Sequence, residues 1–422
     1  MTSTEDWIKK TNVYEVNVRQ YTKEGTFNAF VKELPRLKDM GVETLWLMPV
    51  TPIARKNKKG TLGSYYAAAD YTSINPEFGN MNDFKNLVNA AHKQGFKVII
   101  DWVANHTGWD HVWTKEHPEY YKRDSVTNDF AVASGMDDII ELDFKNPLLR
   151  KAMIGAMRFW IDEADIDGFR CDLAFWVELD FWMEAKKELE DKKRLFWLGE
   201  LDPLEHPGYM QVFDAAYTWT WMHKTEEFCK TSLSLGALEV ILQRYESTPG
   251  MKAWFTSNHD ENSWNGTEYE KYGEAAKAFA VLSCTWPGLP LVYNGQELPN
   301  HKRLKFFDKD VIDWTDKYEL HQFYQTLLNL HSTNPALNGD NAIAPVFRVH
   351  VSEGDKVLAY MRKNGENEVL VLLNLSRFPI EVHVNDKRIE GIFTEVFTGK
   401  ENSFFNNRDF QMNPWSYLVW KK

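Results

Sequence analysis

What most constrains this chain is an alternation. From Val13 to about residue 335, short runs of apolar residues take turns with longer runs whose apolar residues recur at helical spacing. Strand-like runs fall at 13–19, 42–50, 97–103, 167–175, 195–200, 215–221, 252–257 and 289–293. Helical runs lie between and after them: 27–37 with an interruption at Pro35, then 83–95, 149–164, 179–193, 235–246, 274–285 and 318–331. Parallel strands need long crossover connections, so this alternation implies a parallel sheet covered by helices. Eight such units are what a closed (β/α)8 TIM barrel requires, and that α/β architecture is the expected fold. Two regions break the pattern. Residues 109–146 carry many charges and weak periodicity, and read as an excursion from the barrel. Residues 336–422 hold only short alternating runs between Gly and Asn turns, which predicts an antiparallel β domain.

A length of 422 residues exceeds what one core usually holds, consistent with a large domain and a smaller one. A net charge of −12 argues against nucleic acid or an anionic membrane as the main partner, because both demand a basic face. No apolar run approaches the roughly 20 residues of a membrane span. The start, Met1 to Trp7, lacks the basic-then-apolar pattern of a leader, so a cytoplasmic location is expected. Cys171, Cys229 and Cys284 are odd in number and lack metal-ligand spacing, so reduced cysteines are expected. The chain is rich in aromatics, with 17 Trp, 17 Tyr and 26 Phe; such rings fill cores and also hold the apolar faces of sugars.

The stretch Asp167-Gly-Phe-Arg-Cys-Asp-Leu-Ala-Phe175 is unusual for a strand. Phe169, Cys171 and Leu173 fall on one face, Arg170 and Asp172 on the other. Burying a guanidinium and a carboxylate costs several kcal/mol per ion, so the pair is either a structural ion pair or part of a site. Reactive residues of such barrels sit at the C-terminal ends of strands. Polar clusters end four of the runs here: Asp101, Asn105 and His106; Arg170 and Asp172; Glu200; and Asn258, His259 and Asp260.

These clusters resemble the signature regions of glycoside hydrolase family 13, the α-amylase family: Asp101-Trp-Val-Ala-Asn-His106, Gly168-Phe-Arg-Cys-Asp172, Trp197-Leu-Gly-Glu200 and Phe255-Thr-Ser-Asn-His-Asp260. The resemblance runs from Tyr14-Glu-Val to Leu291-Val-Tyr-Asn-Gly-Gln-Glu297. It implies a barrel over 1–108 and 147–335, a short inserted domain B over 109–146 and a C-terminal β-sandwich over 336–422. It also implies Asp172 as nucleophile, Glu200 as acid/base and Asp260 as the third carboxylate of a retaining α-glycoside hydrolase. Tyr66, Asp101, His106, Arg170 and His259 are the implied substrate-binding residues, with an α-glucan as partner.

Departures from the family pattern narrow the reading. Ser64 stands where many amylases have His, and Phe175-Trp176 where many have Lys-His. With Trp264, these two rings are candidates for the acceptor side, while the strand alternation predicts Leu173 on the face opposite Asp172. No cofactor is required. Calcium is left open, with Asn105 matching a frequent ligand position and Glu141 replacing a frequent Asp. The leading expectation is cleavage of α-1,4 bonds in starch-derived glucans. The alternatives are a glucanotransferase or a sucrose- or trehalose-active relative, and a non-catalytic binding relative, against which all three carboxylates stand.

Overall fold

The structure, a computed structural model, describes residues 6–422; residues 1–5, part of the start from which no leader is read, lie outside them. Its strands are β1 (Val13–Val16), β2 (Thr44–Leu47), β3 (Lys97–Trp102), β4 (His106–Gly108), β5 (Ile139–Glu141), β6 (Gly168–Cys171), β7 (Phe196–Gly199), β8 (Ala215–Tyr217), β9 (Met251–Trp254) and β10 (Leu289–Tyr293). Eight of them close into an all-parallel barrel in the order β1-β10-β9-β8-β7-β6-β3-β2. The two left out, β4 and β5, form a small antiparallel sheet that pairs His106 with Glu141 beside the barrel mouth.

The two-residue strand period sorts the side chains. Phe169 and Cys171 point out of β6 into the large core shared with the helices. Trp46, Ile99, Leu198, Tyr217 and Leu291 point inward and fill the barrel. Register then sets Asp101 of β3 beside Arg170 of β6, and Arg170 beside Leu198 of β7. The ion pair therefore lies inside the barrel near its C-terminal end.

Several boundaries differ from the sequence reading. The first strand stops at Val16, and Val18–Tyr21 turns into a short helix with all four residues buried. The helical run interrupted at Pro35 is two helices, Phe27–Phe30 and Leu34–Asp39, joined by a 3-10 turn; Pro35 sits in the first turn of the second, where its missing N–H costs nothing. The run expected to be a strand over 215–221 ends at Tyr217. A helix not expected from the sequence, Trp219–Lys230, begins two residues later, its aromatic-rich start having read as β.

The C-terminal region comprises β11 (Val346–Arg348), β12 (Val357–Asn364), β13 (Asn367–Asn374), β14 (Ile380–His383), β15 (Ile392–Glu395), β16 (Glu401–Ser403), β17 (Asp409–Met412) and β18 (Tyr417–Lys421). A six-stranded sheet, β11-β12-β13-β18-β15-β16, and the pair β14-β17 enclose their own core, which includes Leu370, Leu372, Val382 and Trp420. Tyr360, Val371 and Val419, on the other face of the larger sheet, join the core of the barrel helices. That double burial explains why Val369-Leu-Val-Leu-Leu373 is apolar throughout rather than alternating.

Gly168 opens β6 where the backbone of β7 comes close. A Cβ there would stand 2.0 Å from the Phe196 carbonyl oxygen and 2.7 Å from its nitrogen, both rigid backbone atoms. Gly168→Ala is expected to destabilise the barrel by about 2–3 kcal/mol through overpacking, read as a lower midpoint in a thermal melt. An unchanged midpoint would contradict the packing described.

Candidate active site

The strand ends converge on a cleft of about 390 Å3 bordered by Tyr66, His106, Asp172, Glu200, Asp260 and Trp264. Beneath its floor lies Arg170, whose side chain is 0% exposed. Its Nη1 donates to Asp101 Oδ1 at 3.0 Å and to Asp172 Oδ1 at 2.9 Å, and its Nε donates to Tyr217 Oη at 3.2 Å. Nη2 stands 2.9 Å from Glu200 Oε2, a contact of charge rather than an aligned hydrogen bond. The Trp46 ring lies under the guanidinium at 4.8 Å.

Asp101 is fully used below the cleft. Its Oδ2 accepts from Trp46 Nε1 at 3.1 Å and Tyr66 Oη at 3.0 Å, while Oδ1 accepts from Arg170. Asp101 and Arg170 thus hold other residues in place from behind the cleft wall. His259 belongs to the same layer and is 1% exposed. Its Nδ1 donates to Glu15 Oε1 at 2.5 Å, and its Nε2 lies 2.7 Å from Tyr66 Oη and 3.3 Å from Asp260 Oδ2. With both ring nitrogens donating, Tyr66 accepts from the imidazolium and donates onward to Asp101.

Burial and charge set each group's proton affinity. Burial pushes Glu200 up, Arg170 opposes it, and Asp172 and Asp260 add to the rise, leaving Glu200 at about 7. Burial also raises Asp172, but Arg170 pulls it back, to about 6. For Asp260 the rise from burial is outweighed by His259, which holds the carboxyl below its ordinary value. Burial alone would discharge His259; Asp260 and Glu15 outweigh it and raise the imidazole well above its usual range. His106 shows the other outcome: burial lowers it to about 4. It is therefore neutral, and its Nε2 has no hydrogen-bond partner among the described residues.

Leu173 departs from the expected alternation. The strand ends at Cys171, and Leu173 takes a left-handed backbone with φ of 39°, which turns its side chain to the cleft rather than to the face opposite Asp172. Its N–H donates to Glu200 Oε2 at 2.8 Å. Of the three candidate rings, Trp264 borders the cleft, whereas Phe175 stacks on His206 with centroids 4.4 Å apart. Ser64, in place of a histidine, also borders the cleft. Glu141 Oε1 accepts from Lys122 Nζ at 2.7 Å, and the Asn105 amide lies 3.3 Å from His106 Nδ1. The Glu141 carboxylate is thus paired with an ammonium.

Sequence reasoning missed Glu15, Trp46 and Tyr217, which support the site from β1, β2 and β8. A signal existed for the first: Val13-Tyr-Glu-Val16 places a carboxylate in a wholly buried strand, a cost that demands a partner. Glu15→Gln removes one of the two carboxylates facing His259. The charge-assisted bond should weaken by about 1.5–3 kcal/mol, so the His259 titration, followed by NMR with labelled histidine, should shift to lower pH. A titration unchanged by Glu15→Gln would refute the imidazolium assignment.

Comparison with known proteins bears on the whole chain. Residues 5–138 and 120–305 match the alpha amylase catalytic domain family, and residues 347–419 match the maltogenic amylase C-terminal domain. A noncanonic maltogenic α-amylase, AmyB, from Thermotoga neapolitana is 29% identical and superposes with a TM-score of 0.88, covering 98% of this chain and 99% of that one. An α-amylase from Lactobacillus plantarum is 27% identical with a TM-score of 0.86, covering 99% of this chain and 100% of that one. The α-amylase MalA of Haloarcula japonica is 28% identical over 394 residues, 89% of this chain; the match spans 57% of that relative's length. With the catalytic-domain match extending over most of the barrel, this chain belongs to the α-amylase family of glycoside hydrolases.

Proposed function

We propose that this chain hydrolyses α-1,4-glucosidic bonds in starch-derived glucans or malto-oligosaccharides, with retention, through a covalent glycosyl-enzyme intermediate. The observation that carries the reading is the single guanidinium shared by Asp172 and Glu200. One side chain can hold both carboxylates only if they are close neighbours. Such proximity is what the separation of about 5 Å used by retaining enzymes requires. The α-amylase and maltogenic α-amylase names of its relatives support an α-glucan substrate. Three carboxylates around one cleft favour catalysis over binding alone.

In this reading Asp172 attacks the anomeric carbon and Glu200 gives its proton to the departing oxygen. Arg170 keeps Asp172 anionic, and the apolar surroundings keep Glu200 protonated until the bond breaks. Once the glycosyl group is on Asp172, Glu200 takes a proton from water, which attacks the same carbon and restores Asp172. Asp260, held ionised by His259, faces the positive charge that develops on the sugar ring. His106, neutral and with a free ring nitrogen, would bind a sugar hydroxyl, and Tyr66 would offer its ring to the sugar face.

The pH dependence follows from the two proton affinities. Below about 6 Asp172 gains a proton and the nucleophile is lost. Above about 7 Glu200 loses the proton it must donate. kcat/KM should therefore be bell-shaped with its maximum between these limits. In Glu200→Gln the basic limb should vanish and turnover of glucans fall by about 100- to 10,000-fold, with a far smaller loss on aryl glycosides whose leaving group needs no proton. Equal losses on both substrates would refute the role of Glu200. Retention is tested separately: NMR of the first products from maltopentaose should show the α-anomer before mutarotation, and a β-anomer appearing first would refute double displacement.

A further inference from the structure

One end of the cleft is crossed by a bar of chain with no role in the chemistry above. It is the tip of the long loop after β2, residues 56–62. On one side Lys59 Nζ lies 3.1 Å from Asp138 Oδ1 and 3.3 Å from Asp137 Oδ1, both just before β5. On the other side the loop after β10 receives it: the Leu62 N–H donates to the Phe307 carbonyl at 2.9 Å, and the Thr61 N–H and hydroxyl donate to Asp308 Oδ1 at 2.9 and 2.6 Å. Gly60, with φ of 60°, lets the chains close; a Cβ there would stand 2.5 Å from Phe307 Cβ. Lys59 and Phe307 border the same cleft as the three carboxylates, and Trp264 packs on Phe307 with ring centroids 5.5 Å apart.

The direction of the cleft follows from the chemistry. The leaving oxygen departs on the side of the proton donor, Glu200. The opposite side runs past Tyr66 to Phe306, whose ring lies 21° from parallel to that of Tyr66 with centroids 6.2 Å apart. Phe306 adjoins Phe307, so the bar stands at the end that receives the sugar to be transferred and whatever precedes it in the chain. A glucan passing through that end would have to displace ion pairs, hydrogen bonds and aromatic packing together. A chain end would not, and it alone carries a free 4-hydroxyl that an ammonium can bind.

We propose that this bar closes the glycone end and makes the enzyme exo-acting: it accepts non-reducing ends of α-1,4-glucans and releases short units from them, with Lys59 as the specificity-determining residue. The inference rests on the hydrolase reading given above. The test compares 4-nitrophenyl α-maltoheptaoside with the same compound carrying a 4,6-ethylidene acetal on its non-reducing glucose, the loss of each followed by chromatography. Consumption of the unblocked chain reports the hydrolase reading; the ratio of the two rates reports the bar. The blocked chain should disappear at least roughly tenfold more slowly, and the first products of the unblocked chain should be a short free sugar and a shortened nitrophenyl chain. Lys59→Ala, with its fold checked by melting, should raise the blocked-to-unblocked ratio about tenfold, and Phe307→Ala, which thins the same wall, should do so independently. Equal consumption by the unmodified enzyme, or a ratio that neither variant changes, would overturn the proposal.

Discussion

A guanidinium with no solvent contact organises the upper half of this barrel. Moving Arg170 out of water costs several kcal/mol, and the fold recovers that cost only by surrounding it with Asp101, Asp172, Glu200, the Tyr217 hydroxyl and the face of Trp46. These partners come from five different strands or strand ends. Their mutual positions are therefore fixed by one planar cation, which has little freedom once its donors are engaged. Removing Arg170 would leave three carboxylates facing one another in a site of low polarity.

The same crowding separates groups that start out alike. Asp172 and Glu200 are both buried and both touch Arg170, yet Asp172 receives an aligned hydrogen bond from it and Glu200 does not. Asp260 is governed instead by His259, which Glu15 keeps charged from beneath. The two histidines divide similarly: two carboxylates make His259 a cation, and burial leaves His106 neutral. Placement relative to a few fixed charges, rather than residue type, decides what each group can do.

The features legible in the sequence are those carried by local pattern. Alternating strands and helices marked the barrel, and the period of two placed Phe169 and Cys171 on one face of β6 and Arg170 on the other. Pattern failed where a strand ends. Leu173 continues the alternation on paper, but its left-handed backbone reverses its direction, and nothing in Asp172-Leu-Ala174 announces that turn. Trp219–Lys230 was missed because its Thr-Trp-Thr-Trp opening suits a strand as well as a helix. Trp46 and Tyr217 were invisible for a different reason: an inward aromatic on a barrel strand reads as core, and only the neighbouring strands reveal what its polar atom touches.

The turn at Leu173 also makes the Glu200 carboxyl asymmetric. Its Oε2 accepts the Leu173 N–H and lies against Arg170 Nη2, so two sources of positive charge converge on that one oxygen. A proton on Oε2 would have to point at them. The protonated form must therefore carry its hydrogen on Oε1. A backbone conformation one residue beyond Asp172 thereby decides which oxygen of the Glu200 carboxyl is left to carry a proton.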